Sequence, residues 1–583
     1  PLASCLVVGA ALAAVEPAAD LPPSADPAAV PVAPPAPPRP DADALVARAR
    51  ALRLADDQHW RNLLHWITGL GGGRSAIDDP TFFLAPDGKH DAWAELEATL
   101  RGLIDGAPGT PVPERPVSGL PVAARFPART AFLCERLGID AQTLPVASSA
   151  ELDGILADLR PHSAVVVFAA AYPAAPASMF GHTFLVIRGA EQSPLLAQAM
   201  NYAAAMPDGA GGIAMAGGLC GLLPGRFSTL PYHRKLQEYG DIDQRDLWEY
   251  RLTFTADEVR RLLMHAWELR AITTDYWFFD ENCAFNLLFL IQAARPGLAL
   301  SRRGGWWVLP IDTVRWMQDA GIVAGLDYRA SRRVQAAAAL AALTPAERDL
   351  AIGIARGART VAELPEDPAR RAAILDAAGE SVYALAGRGQ ISNQDYPARL
   401  LAVTRARAAL GAQRKPAPLP PTPPDRAHAP SRVQLGGGVD DGEGFAALTL
   451  RAVQHDLLDP PAGFTTGSDV AFGEAELRWY EDRRPSLHRV DIIRIGKTEA
   501  WDPLFRSWSW RLRTAVDRER MGAAGDWTYQ YGGTFAFGLA AEPAGALTWA
   551  RAAADARLFA HDRGWGVTPG IETGVLLPLP RVQ

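Results

Sequence analysis

The chain has 583 residues, with 58 basic and 65 acidic side chains and a formal net charge of -7. This length is enough for three or four domains of about 150 residues each, so a single domain is not expected. The acidic balance gives no basic surface of the kind that nucleic-acid binding requires, so nucleic acid is not expected as a partner.

Cysteine and histidine spacing gives no sign of a metal site. The four cysteines, Cys5, Cys134, Cys220 and Cys283, are too far apart in sequence to resemble the paired thiolates of a zinc module. The 11 histidines are scattered and no HExxH motif occurs. The sequence therefore predicts no metal and no cofactor.

The first 40 residues read as an export signal followed by a linker. The opening apolar run is too short to span a bilayer and resembles the end of a secretory signal whose start is missing. Leu2 to Cys5 also resembles a lipobox, which makes lipidation of Cys5 the open alternative. The Pro- and Ala-rich stretch up to Pro40 cannot bury a core. Both alternatives predict export to the cell envelope.

Residues 41–145 show apolar side chains at helical spacing and predict a helical domain. Its histidines, which include His59, His65 and His90, have no partner at catalytic spacing. We therefore interpret this domain as a packing unit without chemistry of its own.

Residues 146–310 change to short apolar runs that predict buried strands, at Ser163–Tyr172, Thr183–Ile187 and Leu195–Ala204. His182 lies between a glycine-containing turn and the second of these strands. A strand edge holds a side chain rigidly, as a catalytic base requires. A satisfied core histidine is the alternative for His182 taken alone.

The stretch FFDENCAFNLL places Cys283 at the start of a predicted helix, with Asp280 or Asn282 in position to cap it. The partial positive charge and free N–H groups of a helix N-terminus lower the pKa of a cysteine and can form an oxyanion hole. Cys283 is therefore a candidate nucleophile. The alternative is a small buried hydrophobic residue, the class to which Cys134 and Cys220 are assigned.

Residues 311–414 are rich in Ala and Leu at helical spacing and predict a helical extension. Within it, Thr344 to Glu347 has the pattern of an N-cap, a proline at the first helical position and a capping glutamate. The Pro-rich residues 415–430 read as a second linker.

Residues 431–583 alternate apolar and polar side chains with period two, in about seven or eight runs separated by turns. In WTYQYGGTFAFGL the aromatic residues share one face, which is typical of strands in an outer-membrane β-barrel. A β domain in water, with one wet face, is the alternative. The absence of an initiator Met and of a terminal aromatic residue also predicts that the sequence is a fragment.

Four separated motifs in the central region carry a family resemblance. They are SMFGHTFLVI, NYAA, LPYHRKLQEYGDIDQRDLWEYRL and FFDENCAFNLL, within about Leu152 to Pro310. Together they resemble the Lnb-type N-terminal periplasmic domain family, which is named for a bacterial lipoprotein N-acyltransferase. The resemblance implies an α+β, permuted papain-like (NlpC-type) fold in which histidine precedes cysteine. It also implies that Cys283 and His182 form the catalytic dyad.

In the mechanism that follows, the Cys283 thiolate attacks an acyl carbonyl, and His182 first accepts the thiol proton and later protonates the leaving group. Asn201 is the predicted third residue, which orients His182, with Tyr202 as its rival because adjacent strand residues face opposite ways. The other predicted site-lining residues are Asn282, Phe180, Gly181, Asp280 and Glu281.

The resemblance implies a membrane phospholipid as acyl donor and the α-amino group of a lipoprotein as acceptor. The barrel-like pattern of the C-terminal residues, in turn, predicts a position at the outer membrane. The aromatic and apolar side chains of Met179, Phe180, Trp277, Phe278 and Phe279 are candidates for an acyl channel, with core packing as the alternative. Two other functions stay open. One is a papain-like amidase or peptidase acting on cell-envelope peptides, and the other is a non-enzymatic outer-membrane protein with a relic dyad.

Overall fold

We describe the protein from a computed structural model. The described residues are 40–69, 72–106, 108–109, 119–171, 179–190, 193–205, 217–218, 221–411, 417–440, 442–481, 484–521, 526–559 and 564–577. The predicted export signal, its linker as far as residue 39, Cys5 and Cys220 lie outside these residues. Within the described ranges, no helix combines the length and the apolar composition that crossing a membrane requires.

The first described region is helical, with one hairpin that the sequence analysis does not predict. Aspartate side chains at residues 41, 57 and 91 accept main-chain N–H groups and so begin three of the helices. The elements are α1 Ala42–Ala51, α2 Gln58–Leu63, β1 Trp66–Gly69, β2 Gly72–Ser75, α3 Ala92–Asp105, α4 Val122–Arg125, α5 Pro127–Leu137 and α6 Ala150–Leu159. Left-handed glycines at positions 106 and 138 end α3 and α5.

The central region is built on a seven-stranded sheet in which every neighbouring pair is antiparallel. Its strands are β3 Pro161–Ala169, β4 His182–Gly189, β5 Gln198–Ala204, β6 Leu223–Pro231, β7 Leu247–Leu252, β8 Thr273–Tyr276 and β9 Val323–Arg329. Their order across the sheet is β8, β6, β5, β4, β3, β7, β9. The three predicted strands are thus confirmed as neighbours β3, β4 and β5.

Helices cover this sheet, so its central strands are apolar on both sides. They are α7 Tyr232–Leu236, α8 Ala256–Glu268, α9 Cys283–Ala294 and α10 Pro310–Asp319. Val166 and Leu185 pack in the main core with α8 and α9, whereas Val167 and Phe184 pack with Tyr232 on the other face. The α+β class is confirmed, while the permuted papain-like topology stays a prediction.

Four helices follow the sheet and form a separate hydrophobic core. They are α11 Arg332–Ala341, α12 Pro345–Arg356, α13 Pro368–Gly387 and α14 Asp395–Ala408. The predicted start of α12 is confirmed, because Thr344 and Glu347 form a reciprocal capping box with a proline at the first helical position.

The C-terminal region is an eight-stranded antiparallel sheet in which each strand pairs with the next along the chain. Its strands are β10 Arg432–Asp440, β11 Glu443–His455, β12 Ser468–Tyr480, β13 Ser486–Lys497, β14 Ser509–Met521, β15 Asp526–Ala541, β16 Leu547–Phe559 and β17 Trp565–Leu576. The predicted antiparallel strands are confirmed. Closure into a barrel is absent from the described residues, because β10 and β17 pair on one side only and remain edges.

The faces of this sheet are inverted relative to a sheet that folds around an apolar core. One face carries exposed aromatic and aliphatic side chains, such as Tyr531, Phe535 and Phe537 on β15. The other face carries buried or half-buried ion pairs, among them Arg494 with Asp491 at 2.8 Å and Arg451 with Asp459 at 2.6 Å. Ion pairs therefore occupy much of the buried face of this sheet, while the aromatic side chains of β15 face outward.

One buried ion pair in the helical region gives a direct test of packing. Glu95 and Arg129 form a fully buried pair at 2.6 Å, and Glu95 also accepts the main-chain N–H groups of Leu84 and Ala85. We expect Glu95→Ala to lower the free energy of unfolding by about 3–5 kcal/mol, because it leaves Arg129 charged and unpaired in the core. Urea denaturation measures this difference.

Glu97→Ala is the matched control, since Glu97 pairs with the half-exposed Arg101 on the same helix at 3.0 Å. We expect Glu97→Ala to lower the free energy of unfolding by about 0–1 kcal/mol. Equal costs for the two variants would contradict the assignment of the Glu95 pair as a structural anchor.

Candidate functional site

Cys283 is the first residue of α9, and Asn282 determines where that helix begins. The Asn282 side-chain oxygen accepts the N–H groups of Ala284 and Phe285 at 3.0 and 3.3 Å. Its side-chain nitrogen donates to the carbonyls of Phe278 and Val308 at 3.1 and 2.6 Å. All four bonds tie the start of the helix to the chain on both sides, so the position of Cys283 is fixed.

The Cys283 thiol is buried, with 3% of the residue exposed. Burial raises the pKa of this thiol, and polar groups of Thr183, Ala284 and Tyr276 beside the sulfur offset part of the rise. The expectation of a lowered pKa is therefore wrong for the free protein, because desolvation outweighs the helix terminus. The Thr183 hydroxyl is itself buried, with no hydrogen-bond partner at ordinary distance among the described residues.

Asp280 and Glu281 precede the helix without capping it, so the alternative cap at Asp280 is wrong. Asp280 accepts the N–H of Glu281 in its own turn, at 2.9 Å. Glu281 pairs with Arg74 of β2 at 2.9 Å. Burial raises the pKa of Glu281 to about 7, although Arg74 opposes this.

His182 begins β4 and is half-buried. Its Nε2 lies 2.6 Å from the Asn201 side-chain oxygen, an acceptor, so Nε2 carries the proton and Nδ1 is left as a free base. Burial lowers the pKa of His182 to about 3, against the bond to Asn201, which raises it. The imidazole is therefore neutral near pH 7.

Gly181 permits the turn that leads into His182. Its φ is +86°, in the region that favours glycine, and a Cβ at this position would lie 2.5 Å from the Phe168 ring. The turn therefore requires glycine for both backbone and space.

Strand alternation separates the polar side chains of the site into two groups. His182 and Phe184 lie on the face with Tyr239, and Asn201 joins them. Tyr202 packs instead with Cys283, and its hydroxyl contacts the Thr274 hydroxyl. The structure thus brings Asn201, rather than Tyr202, to His182. No hydrogen bond joins Cys283 to His182 in the part of the chain that the structure describes.

Two residues that sequence reasoning did not single out connect these groups. Tyr239 stacks with His182 at 5.8 Å between ring centroids, and the Arg245 guanidinium lies 4.9 Å from the centre of the Tyr239 ring. Burial raises the pKa of Tyr239, and a negative charge on Cys283 raises this pKa further by a smaller amount. Arg245 interacts electrostatically with Cys283 and His182 as well. Both residues lie in LQEYGDIDQRDLW, which is part of one of the four family motifs, so the sequence could have indicated them.

The aromatic residues proposed for an acyl channel mostly make a packed contact between domains. Phe180, Phe278 and Phe279 surround Phe472 of β12, with ring centroids 5.1 to 6.4 Å apart. Met179 is buried in the same core, and Trp277 is 41% exposed. The acyl channel stays a prediction, and the contacts that these side chains make are those of core packing.

No trio of metal-ligating side chains meets around Cys283 and His182 in the described ranges. The trio that does meet, His428, His455 and Asp459, belongs to the C-terminal region.

Cys283 begins a capped helix, and His182 and Asn201 lie on neighbouring strands. All three residues belong to one segment that matches a known family. Residues 151–320 match the model for the Lnb N-terminal periplasmic domain. The predicted family of this region is confirmed. The name of the Lnb domain also supports the periplasm or cell envelope as its location.

The regions on either side of the Lnb domain match two domains of unknown function. Residues 52–136 match DUF7843 and residues 421–583 match DUF7840. No curated protein and no solved structure is significantly similar to the chain.

The raised pKa of Cys283 predicts how its alkylation varies with pH. We expect the rate of reaction with iodoacetamide to rise about tenfold per pH unit through pH 8.5 without a plateau, because the reactive thiolate stays a minor species below the pKa. Mass spectrometry of the Cys283 peptide at each pH measures the rate.

The same cysteine in urea-unfolded protein is the control and should level off just above the ordinary thiol pKa of about 8.5. A folded-state plateau below pH 8 would instead indicate a lowered pKa and a preformed thiolate.

Proposed function

We propose that the Lnb domain is a cysteine-dependent acyltransferase in which Cys283 carries the acyl group as a thioester. The observation that carries this proposal is the convergence of polar groups on one buried sulfur at a helix start. The hydroxyls of Thr183 and Tyr276 and the amide of Ala284 surround it. Hydrogen-bond donors at the sulfur stabilise the thiolate that attacks the acyl carbonyl.

His182 is the proposed general base and acid. Asn201 holds its Nε2–H, which leaves Nδ1 as the proton acceptor. The lowered His182 pKa of about 3 keeps the ring unprotonated near pH 7, but a general base is most effective when its pKa lies near the operating pH, so the proposal requires substrate binding to raise this pKa. Asn201 is thus a positioning residue, because it acts on the substrate through His182.

In the first step the Cys283 sulfur attacks the ester carbonyl carbon while His182 takes the thiol proton. The ester C–O bond then breaks, and His182 returns the proton to the departing alkoxide. In the second step an amine attacks the thioester and loses a proton to His182. The C–S bond breaks, the amide leaves, and the proton returns to the thiolate. Atoms and charge balance without a metal or a redox partner.

The two groups must approach each other for this chemistry, since the resting thiol contacts Thr183 and not His182. Catalytic hydrogen bonds are often incomplete until substrate binds. Along β4 the side chain of Thr183 faces the sulfur and that of His182 faces Tyr239 on the other side, so the proposal requires His182 to turn around the start of the strand toward Cys283. The neutral resting pair then becomes a thiolate and an imidazolium only at the moment of attack.

The proposed donor is a membrane phospholipid and the proposed acceptor is the α-amino group of a lipoprotein. An amidase or peptidase would form the same acyl-enzyme but would transfer the acyl group to water. The acceptor therefore distinguishes the two reactions.

An acyl-thioester reagent tests the proposal on the full chain. We expect intact-mass labelling at Cys283, no labelling in Cys283→Ala, and at least about a hundredfold slower labelling in His182→Ala, since general-base catalysis contributes about 10²–10⁴-fold. Asn201→Ala should slow labelling and be partly rescued by Asn201→Gln, which keeps the acceptor. Cys134→Ala is the control and should label as the wild type does.

Labelling that is independent of His182 would contradict the dyad. Absence of label in folded wild-type protein would contradict the acyltransferase and leave the non-enzymatic alternative. Adding a lipopeptide amine to the labelled protein then separates transfer from hydrolysis.

We also propose that the C-terminal sheet places the Lnb domain at a membrane, with the outer membrane as the expected one. The supporting observation is the outward apolar face of β15, where Tyr531, Phe535 and Phe537 are 46%, 50% and 42% exposed. Exposed apolar area of this extent is unfavourable in water but suits a lipid surface.

Flotation with phosphatidylethanolamine–phosphatidylglycerol vesicles tests membrane contact. We expect the double variant Phe535→Lys, Phe537→Lys to reduce the vesicle-bound fraction at least about tenfold, because each lysine facing lipid costs about 1–4 kcal/mol depending on depth. Glu542→Lys, in the exposed turn after β15, adds the same two units of charge and should bind as the wild type does. Equal loss in both variants would contradict an apolar contact.

A further inference from the structure

A trio of metal-ligating side chains lies where the second proline-rich segment meets the C-terminal sheet. His428 lies near the end of that segment, His455 ends β11, and Asp459 lies in the turn after β11. The sequence analysis predicted no metal, because 27 residues separate the histidines and the motif has no regular spacing. The fold brings all three side chains together.

The separations of the three ligating atoms fit one small cation. His428 Nε2 lies 2.9 Å from His455 Nδ1, and Asp459 Oδ2 lies 3.8 and 3.9 Å from these two nitrogens. The point equidistant from the three atoms, calculated from these separations, is about 2.1 Å from each. Zinc binds imidazole nitrogen at about 2.0–2.1 Å and carboxylate oxygen at about 2.0–2.2 Å.

The surroundings orient both rings for binding. His428 Nδ1 lies 2.7 Å from the Ala429 carbonyl, so it carries the proton and Nε2 presents its lone pair to the cluster. The Phe464 ring stacks on His455 at 4.0 Å and on His428 at 4.7 Å, which fixes the ring planes. The bond from His428 to the Ala429 carbonyl is the kind of outer contact that orients a histidine ligand in metal sites.

Charge and protonation determine which cation fits. With His428 Nε2 as the acceptor, His455 Nδ1 donates the hydrogen bond that joins the two rings in the metal-free protein, so a cation bound at Nδ1 would take the place of this proton. Arg451 and Arg432 pair with Asp459 at 2.6 and 2.8 Å and offset its charge. Two nitrogen ligands and a partly neutralised carboxylate favour zinc-like ions over Mg²⁺ or Ca²⁺, which prefer oxygen ligands.

We propose that His428, His455 and Asp459 form a binding site for Zn²⁺ or a similar divalent transition metal. The three ligands come from two segments, so the ion would join residues 417–430 to the start of the C-terminal sheet. His428 and Phe464 also line a cavity of about 700 Å³, together with Phe168 and Phe180 of the Lnb domain. The ion would therefore fasten the region in which the two domains meet.

Metal titration of the untagged full chain tests this site. After dialysis against EDTA, we expect the wild type to bind about one Zn²⁺ that His428→Asn and His455→Gln do not bind. Loss of an outer-shell partner lowers metal affinity about 10- to 100-fold. Each variant loses a direct ligand, so we expect its zinc affinity to fall by more than that. Co²⁺ in place of Zn²⁺ should give the visible absorption of a four-coordinate site in the wild type only.

His488→Asn is the matched control, because His488 lies in the same sheet but outside the trio. It should keep both the zinc stoichiometry and the cobalt spectrum. Zinc should also raise the melting temperature of the wild type and of His488→Asn, but not that of His428→Asn.

Equal zinc binding in the wild type and His428→Asn, or no binding in the wild type, would overturn the proposal. The apo melting temperature of each variant shows whether it folds, and His455→Gln provides the second test if His428→Asn does not. The acyl-thioester experiment uses Cys283 and is independent of this result.

Discussion

The candidate site depends on one side chain, the amide of Asn282. It accepts two N–H groups at the start of α9 and donates to two carbonyls from the segments before and after that helix. A carboxylate could accept but not donate, so Asp at this position would leave the Phe278 and Val308 carbonyls without these donors. The amide thus fixes the first residue of the helix, Cys283, against the sheet.

Because the sulfur is fixed, the alternation of side chains along the strands determines which of them contact it. Alternation along β4 sends Thr183 toward Cys283 and its neighbour His182 toward Asn201 and Tyr239. Burial then raises the pKa of the thiol and lowers that of the imidazole, so both groups are neutral at rest. A neutral pair requires less buried charge than a resting thiolate–imidazolium pair, which fits a site that becomes ionic only when substrate enters.

The Lnb domain is held against its neighbours by contacts of several kinds. Phe472 of the C-terminal sheet inserts among Phe180 and Phe278, and Thr465 donates to the Ala171 carbonyl at 3.1 Å. Arg356 of the helical extension donates to the Leu504 carbonyl at 2.6 Å. The turn before His182 therefore packs on the C-terminal sheet, so a change in that sheet can reach the candidate site through Phe180.

The sequence alone determined the local features. Capping residues and proline position predicted the start of α12, short apolar runs predicted β3 to β5, and period-two alternation predicted the C-terminal antiparallel strands. All of these signals act between residues close in the chain. The motifs around Cys283 and His182 likewise identified the family. Only the tertiary structure decided the sign of the Cys283 pKa shift, the choice of Asn201 over Tyr202 beside His182, and the meeting of His428 with His455. Each of these depends on burial or on contacts between distant segments, which spacing along the chain does not encode.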